Sequence, residues 1–592
     1  MTETRTYGPE DTSRTTYAPR LLGTHAAVAC EHYLAAQAGA DLVKAGGNAV
    51  DAAVGAAFVE GVVNPQMHTL GGECPMLIYL AEGDRVIAVN GNTTAPGAAT
   101  PEAYRARGHT EVPDTGVLAA GVPAAFGALV TALRRFGRLP FEAVTGPARM
   151  LAADGFPAHR GLIRQRDFGL RDVEQRFREH WPGSARLYLP QDRRPEEGER
   201  IRNPALGALL AHLAAIESRH SGTREARLEA VHDEFYRGEV ADVIVRFIRD
   251  RDGLLVRADL ESFETRLEDP VALDFHDTTV FKCGPWTQGP AMLQALAILA
   301  ELDLANMGHN SADYLHTVVE AMKLAFADRE QYYGDPQRVH VPMAGLLSRD
   351  YARARVALID PRRASPALRP GDPAGGGALL PAAERLGGRA WGPGTVHVDV
   401  VDSEGNMASV TPSGAWIKSS EVVPDLGFPL GTRLMTFYLE PGHHPNVVAP
   451  GKRPRTTISP TLAFRRSRPW TVFGSMGGDQ QDQWMLQYFL NRVIFDMPLQ
   501  AALEAPKLSS EHFPGFFAPH DFHLQRVLIE PRIPETVRAA LARRGHDVID
   551  AVDWTEGFLL AAEQQPDSGL REAGFDLRGW KSEVFPAFAL CW

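Results

Sequence analysis

Apolar residues recur with a helical spacing in several long segments and alternate with polar residues in shorter runs elsewhere. The helical spacing predicts helices over residues 31–45, 48–63, 290–302, 312–332 and 479–493. The short runs, separated by turn residues, predict three strand pairs: 76–80 with 86–89, 395–402 with 407–411, and 461–464 with 470–473. The C-terminal third is therefore expected to be rich in strands, and the rest to be mixed with much helix.

One segment without charged residues, 115–133, is nearly long enough to cross a bilayer. Its glycines and Pro123 instead predict a loop followed by a buried helix. The first twenty residues are polar and charged, and they lack the apolar stretch of a secretion signal. These features predict a cytoplasmic protein that has no membrane partner.

The composition is that of a folded protein: 592 residues, 44% of them hydrophobic, with 61 Lys and Arg against 73 Asp and Glu. A net charge of −12 argues against nucleic acid as a partner, because phosphate binding depends on Lys and Arg. The four cysteines are scattered and form no C-x-x-C pair, so neither disulfides nor a zinc cluster is expected. Histidines 512, 520 and 523 have no carboxylate or cysteine at a supporting spacing, which favours an exposed loop. No metal and no cofactor is expected.

Two segments differ in character from their surroundings. Residues 160–203 are charged and rich in arginine, which predicts a solvated helical excursion. Residues 371–394 contain eight glycines and three prolines, which predicts an exposed, mobile linker. We place the principal boundary at the end of this linker, between residues 1–394 and 395–592.

The junction Gly394-Thr395 is the candidate site of chemistry. The chain lacks the G-x-S-x-G, P-loop, H-E-x-x-H and dinucleotide motifs. A glycine-rich linker that ends at a threonine opening a strand is what a self-cleaving N-terminal nucleophile enzyme requires, because the hydroxyl must reach the preceding carbonyl. Cleavage frees an α-amine of pKa near ~8, which can serve as the general base for that hydroxyl. The alternative is a threonine that only begins a strand.

The chain resembles the γ-glutamyltransferase family from about residue 26 onward. The similar segments include AGGNAVDAAV at 45–54, MHTLGGECPMLIY at 67–79, GVPAAFGALVTALRRFG at 121–137, GTVHVDVVDSEGN at 394–406, APGKRPRTTISPTL at 449–462 and GSMGGDQQDQW at 474–484. The resemblance implies a four-layer αββα sandwich of the α+β class, with two stacked antiparallel sheets. It also implies one composite domain made from a large subunit, 1–394, and a small subunit, 395–592, either as one such pair or as a dimer of pairs.

The resemblance also implies roles for individual residues. Thr395 matches the nucleophile, with cleavage between Gly394 and Thr395, and Ser413 matches a threonine whose hydroxyl holds the nucleophile, although a turn residue is an equal alternative. Gly477 and Gly478 match the glycines whose N–H groups form the oxyanion hole. Two further matches, Thr456 and Thr457, correspond to a serine pair near the substrate carboxylate.

The sequence departs from glutathione-using members at the charged anchors. Asn92 stands where an arginine holds the substrate carboxylate, and Met435 and Thr436 replace the acidic pair that holds its amine. Arg433 resembles the arginine of the branch that includes oxamate amidohydrolase and related acylases, where it would bind a carboxylate; the alternative is a surface arginine. His397, which shares a strand face with the nucleophile, and His68 are secondary candidates for substrate contact.

The expected function is an acyl hydrolase or transferase that forms an ester on Thr395 with a small carboxylate-bearing substrate other than glutathione. Three alternatives stay open: a true γ-glutamyltransferase, a hydrolase of a C–C bond to an oxalyl-type group like family relatives from antibiotic pathways, and an uncleaved relative without catalysis.

Overall fold

The computed structural model describes residues 16–373, 394–581 and 586–592. Of the predicted linker, residues 374–393 lie outside this description. In the described residues, none of the helices combines the length and the apolar character needed to span a membrane.

The strands, in chain order, are β1 Leu21–Gly23, β2 Ala27–Cys30, β3 Met76–Leu80, β4 Arg85–Asn90, β5 Phe156–Pro157, β6 Arg200–Ile201, β7 Arg266–Glu268, β8 Val271–Phe275, β9 Thr278–Lys282, β10 Val398–Val401, β11 Met407–Val410, β12 Val422–Val423, β13 Phe428–Pro429, β14 Thr461–Arg465, β15 Arg468–Ser475, β16 Leu508–Ser510, β17 Arg526–Ile529, β18 Asp547–Asp550, β19 Leu559–Gln564, β20 Arg571–Phe575 and β21 Phe588–Cys591.

The helices, in chain order, are α1 Tyr33–Lys44, α2 Ala49–Val63, α3 Pro101–Arg105, α4 Ala125–Phe136, α5 Phe141–Asp154, α6 Arg160–Arg164, α7 Leu170–His180, α8 Pro182–Tyr188, α9 Pro204–Arg219, α10 Arg224–Arg237, α11 Glu239–Arg249, α12 Arg257–Glu261, α13 Gly289–Leu299, α14 Leu304–Met307, α15 Ala312–Tyr332, α16 Met343–Leu346, α17 Arg349–Val356, α18 Gln481–Val493, α19 Leu499–Glu504, α20 Glu535–Arg543 and α21 Arg578–Lys581.

Two seven-stranded sheets of the described residues lie at the centre of the fold. The first has the order β21-β2-β10-β11-β3-β4-β7, and the second β1-β20-β19-β15-β14-β9-β8. Neighbouring strands are antiparallel throughout both sheets. Each sheet takes strands from both sides of Gly394, so the two parts of the chain interdigitate in the core.

The strand β10 shows how the layers are built. Val398 and Val400 point toward α2 and join the apolar core that this helix forms with α1, α4 and α5. Val401 points the other way, into the core between the two sheets. The second sheet is covered on its outer side by α13 and α18, and α15 packs on α13. The order helix, sheet, sheet, helix confirms the predicted αββα sandwich of the α+β class.

Several predicted elements are confirmed closely. The helix over 312–332 has the predicted bounds, and Ser311 caps it by accepting a hydrogen bond from the Tyr314 N–H. Asn48 caps α2 in a capping box with Asp51. The strand predicted over 395–402 is shorter, because Thr395 makes only an isolated bridge with Ser413 and regular pairing begins at Val398. Pro412 lies opposite Val396 and has no N–H to donate to the ladder.

Candidate active site

Thr395 lies at the entry to β10, where it is 4% exposed. Its Oγ1 is 3.0 Å from Ser413 Oγ, across the bridge that joins the two residues. The Val396 N–H donates to the Pro412 carbonyl at 3.0 Å and fixes the backbone beside the threonine. The predicted pair Thr395 and Ser413 is therefore brought into direct contact.

The carbonyl oxygen of Gly394 accepts two hydrogen bonds. Ser413 Oγ donates to it at 3.0 Å, and Trp416 Nε1 donates to it as well. A hydroxyl has one proton, so while Ser413 donates to Gly394 it accepts from Thr395. A continuous path of hydrogen bonds thus leads from the Thr395 hydroxyl through Ser413 to the carbonyl that precedes Thr395.

Arg433 and Glu73 form a buried ion pair behind Ser413. Arg433 Nε donates to Glu73 Oε1 at 2.5 Å, and a terminal nitrogen of the same guanidinium donates to Ser413 Oγ at 2.9 Å. The backbones of Glu73 and Ser413 also exchange two hydrogen bonds of 2.9 Å. Burial raises the pKa of Glu73, and Arg433 opposes this rise. Arg433 is 2% exposed, so the alternative of a surface arginine is wrong.

Two aromatic side chains, Phe168 and Trp416, lie against Gly394. Phe168, Trp416 and Met435 form a small buried cluster against which Phe517 packs. The Lys418 ammonium lies 3.6 Å from the centre of the Phe168 ring. A Cβ added to Gly394 would lie 2.3 Å from Phe168 Cε1 and 3.0 Å from Trp416 Nε1, so glycine is required here by space.

The glycine turn, residues 474–478, leads from β15 toward α18. Gly477 and Gly478 have φ values of +115° and +60°, which side chains disfavour. Trp484 also packs against this turn, because a Cβ at Gly477 would be 2.5 Å from its ring. Gly478 and Phe517 line a cleft, which is bordered by the loop 510–523. Phe517 thus lies near Gly478 and also packs against the buried cluster of Phe168, Trp416 and Met435.

The expectation that the loop 510–523 is exposed is wrong at His512. His512 is buried, and its Nε2 lies 3.0 Å from the Ala367 carbonyl oxygen. The loop faces the cleft beside the glycine turn with Phe513, Phe516 and Phe517, whereas the sequence alone favours an exposed surface loop. The apolar residues between the histidines are the feature of the sequence that could have indicated burial.

Thr456 and Thr457 are also buried, and Gln288 connects this pair to the glycine turn. The Gln288 N–H donates to the Thr456 carbonyl at 2.8 Å, and its side-chain amide donates to the Gly478 carbonyl at 3.2 Å. The Thr456 hydroxyl accepts from the Ile458 N–H at 3.3 Å.

His397 lies between the two sheets. Its Nδ1 is 2.9 Å from Thr411 Oγ1, and its Nε2 is 2.9 Å from Asp399 Oδ1. The ring lies so close to Gly474 that a Cβ there would be 2.2 Å away. These contacts place His397 in the interior, where it can orient the strand that follows Thr395.

His68 lies beside Ser413, whereas Asn92 lies beside Pro454. His68 Nδ1 is 3.3 Å from the Ser413 carbonyl oxygen, and burial lowers the pKa of His68 to about 4, so the ring is neutral at pH 7. The Asn92 amide donates to the Pro454 carbonyl at 2.5 Å, and its Oδ1 accepts from the Thr93 N–H at 2.9 Å. Asn92 thus supports the segment that leads to Thr456.

The sequence did not single out three residues of this site. Glu73 lies inside a segment quoted for the resemblance, and Trp416 lies three residues after Ser413, so both carried a local signal. Phe168 belongs to the charged excursion between α6 and α7, and only the tertiary structure brings it to Gly394.

Two groups in the described residues have the ligand types of a metal site. They are His212 with Glu234 and Glu239, and Glu229 with His232 and Asp233. Both groups lie on α9 to α11, in a different part of the fold from Thr395.

The chain is similar to known proteins over most of its length. A family model described as Gamma-glutamyltranspeptidase matches residues 35–584. The oxamate amidohydrolase proenzyme of Klebsiella pneumoniae is 31% identical over 567 residues, which are 94% of this chain and 98% of that protein. The structure of LmbA2991HD is 40% identical with a TM-score of 0.90, covering 97% and 99% of the two chains. The cephalosporin acylase of Bacillus halodurans is 28% identical with a TM-score of 0.84, covering 99% of each chain.

Proposed function

Because the chain belongs to the gamma-glutamyltranspeptidase family, we propose that it is a self-cleaving amidohydrolase or acyltransferase whose nucleophile is Thr395. It is an enzyme of a family that includes acylase and amidohydrolase proenzymes. The observation that supports Thr395 most directly is the path of hydrogen bonds from its hydroxyl through Ser413 to the Gly394 carbonyl. The path connects a nucleophile with the carbonyl that it must attack.

This path supports the following steps of self-cleavage. Thr395 Oγ1 attacks the Gly394 carbonyl carbon and passes its proton to Ser413, while Ser413 passes its own proton to the carbonyl oxygen. The C–N bond then breaks as the C=O bond re-forms, and the oxygen gives up its proton through Ser413 to the departing Thr395 nitrogen. The product is an ester between Gly394 and Thr395 Oγ1. Water hydrolyses this ester and leaves a Gly394 carboxylate and a Thr395 with a free hydroxyl and a free amine.

The new amine makes turnover feasible. With an intrinsic pKa near ~8, it accepts the Thr395 hydroxyl proton at neutral pH. The hydroxyl attacks the substrate carbonyl, Ser413 holds it in place, and the N–H groups of Gly477 and Gly478 stabilise the oxyanion. An acyl ester forms on Thr395 and is released to water or to an acceptor amine.

The substrate is an acyl group that bears a carboxylate and lacks the α-amine of a glutamyl group. The two positions where glutathione-using members have acidic residues offer no negative charge here. Met435 packs with Phe168 and Trp416, and the Thr436 hydroxyl donates to the Arg433 carbonyl at 2.8 Å. An ammonium group buried there would lose its partners. Arg433, beside Ser413, supplies the positive charge for a carboxylate.

A matched pair of donors tests this substrate class. Glutaryl-p-nitroanilide differs from γ-glutamyl-p-nitroanilide only by the missing α-amine. We expect kcat/KM to be about 100-fold higher for the glutaryl donor, since an unpaired buried amine costs about 2–3 kcal/mol. Mass analysis of the 395–592 chain after rapid acid quenching should show the glutaryl ester. A preference for the γ-glutamyl donor would instead identify a true γ-glutamyltransferase.

Replacement of Gly394 by alanine tests the tight enclosure of the cleaved bond. The new Cβ would overlap Phe168 Cε1 and displace the Gly394 carbonyl from Ser413 and Trp416. We expect G394A to cleave at least about tenfold more slowly, because misplacing reacting groups by a fraction of an ångström is costly. Gel analysis over time measures the rate.

The double variant F168A/G394A provides the control for this effect. Removal of the Phe168 ring makes room for the added methyl group, so the double variant should cleave faster than G394A. If G394A cleaves as fast as the unchanged chain, the enclosure has no part in cleavage.

A further inference from the structure

The two donors to the Gly394 carbonyl come from one buried loop. Ser413 and Trp416 are 0% and 2% exposed, and the Gly394 oxygen that they contact is buried with them. Among the described residues, the hydrogen bonds to this oxygen come from Ser413 and Trp416, and the glycine turn 474–478 contributes none. The oxygen that becomes charged during self-cleavage thus has donors other than the predicted oxyanion hole.

The Trp416 indole is fixed in its orientation. The centre of the Phe168 ring lies 5.3 Å from that of the indole, edge to face, and the centre of the Phe517 ring lies 6.2 Å from it. The backbone carbonyl of Trp416 accepts a hydrogen bond from the Ser419 N–H at 2.7 Å. A donor held in this way needs no reorganisation when negative charge develops on the oxygen in front of it.

Arg433 adds a positive charge above the same ring. The guanidinium carbon lies 5.1 Å from the centre of the indole. A cation over the ring face draws electron density from the indole and strengthens its N–H as a donor. The same guanidinium donates to Ser413 Oγ, so both donors to Gly394 are polarised by one arginine.

We propose that Trp416 Nε1–H and the Ser413 hydroxyl form a dedicated oxyanion site for self-cleavage, separate from the glycine turn that serves substrate turnover. This inference rests on the proposed self-cleavage at Gly394-Thr395. As the bond from Thr395 Oγ1 to the Gly394 carbon forms, the electron pair of the C=O bond moves onto oxygen. The indole retains its proton and stabilises the negative charge that develops on this oxygen before Ser413 delivers a proton to it.

The test is the rate at which the full-length chain cuts itself, followed by intact mass. W416F removes the N–H and should cleave about 100-fold more slowly, the usual effect of losing one oxyanion donor. A second variant carries 3-benzothienylalanine at position 416, which replaces N–H by sulfur and keeps the two-ring shape. It should be slowed to a similar extent, which excludes a packing defect as the cause.

Trp286 offers a matched control, because it is a fully buried tryptophan whose Nε1 donates to Glu268 at 2.8 Å. W286F loses a comparable hydrogen bond and should cleave at the unchanged rate. Melting temperatures of T395A/W416F and T395A, both uncut, show whether the fold is kept.

Three outcomes are distinguishable. Slow cleavage of both Trp416 variants with normal cleavage of W286F supports the dedicated site. Equal rates for the unchanged chain and both Trp416 variants overturn it and leave self-cleavage standing. An unchanged chain that stays intact overturns the proposed self-cleavage itself, and with it this site.

Discussion

Replacement of Thr395 by alanine should leave a single polypeptide of 64.6 kDa and abolish acyl transfer and hydrolysis. The alanine lacks Oγ1, which is the proposed nucleophile that attacks the Gly394 carbonyl. The loss is double, because an uncut chain has no free α-amine at residue 395 to act as base. We expect activity to fall by at least about 1000-fold, as when a covalent nucleophile is removed. Intact mass and donor hydrolysis measure the two effects.

Two further variants control for this result. T395S keeps a hydroxyl and should still cleave, although the more mobile serine is expected to be slower. T145A removes another buried threonine hydroxyl, which donates to the Phe141 carbonyl at 2.8 Å within α5. It should cleave normally. If T395A is cut between residues 394 and 395 at the normal rate, another group carries out the cleavage.

Much of the sandwich follows from local sequence. The helix over 312–332 and the hairpin of β14 with β15 are set by periodicity, caps and turns that lie within a few residues of each other. The pairing of β10 with β2 is different, because these strands are more than 350 residues apart and their register depends on the whole core. Only the resemblance to a family indicated the two stacked sheets.

Some residues of the candidate site can also be recognised from local sequence, whereas others are brought together only by the tertiary structure. Thr395 and the glycine turn lie in segments that resemble the family, and Ser413 matches a threonine of that family. Gly477 has a positive φ, which glycine adopts without a steric penalty. The ion pair of Arg433 with Glu73 joins residues 360 positions apart, so no local pattern reveals it. Without it, Arg433 could be interpreted as a free ligand for a carboxylate. Its contact with Glu73 means that a substrate carboxylate must share the guanidinium.

Breaking this ion pair should have the second largest effect. In R433M the carboxylate of Glu73 stays buried without its cation, and we expect a loss of about 3–5 kcal/mol in the free energy of unfolding near neutral pH. The double variant E73Q/R433M removes both charges and should recover much of this loss. Denaturation is measured in a T395A background, so that each variant is one uncut chain.

The loss in R433M should depend on pH. With Arg433 gone, burial alone acts on Glu73 and raises its pKa further above the value in the unfolded chain. A raised pKa in the folded state gives a contribution to stability that is present at low pH and is lost as the pH rises through that pKa. R433M should therefore be less destabilised at about pH 5 than at about pH 8, whereas E73Q/R433M should show no such difference.

A surface pair separates this effect from a general cost of removing arginine. Arg138 and Glu404 form an ion pair whose side chains are 47% and 52% exposed. R138M should lose less than about 1 kcal/mol. Equal losses for R433M and R138M would mean that the Glu73 carboxylate is solvated in the folded protein.

Because Arg433 also holds Ser413, R433M should slow self-cleavage, and E73Q/R433M should regain stability without regaining the rate. This separation of rate from stability would show that Arg433 acts on Ser413 directly.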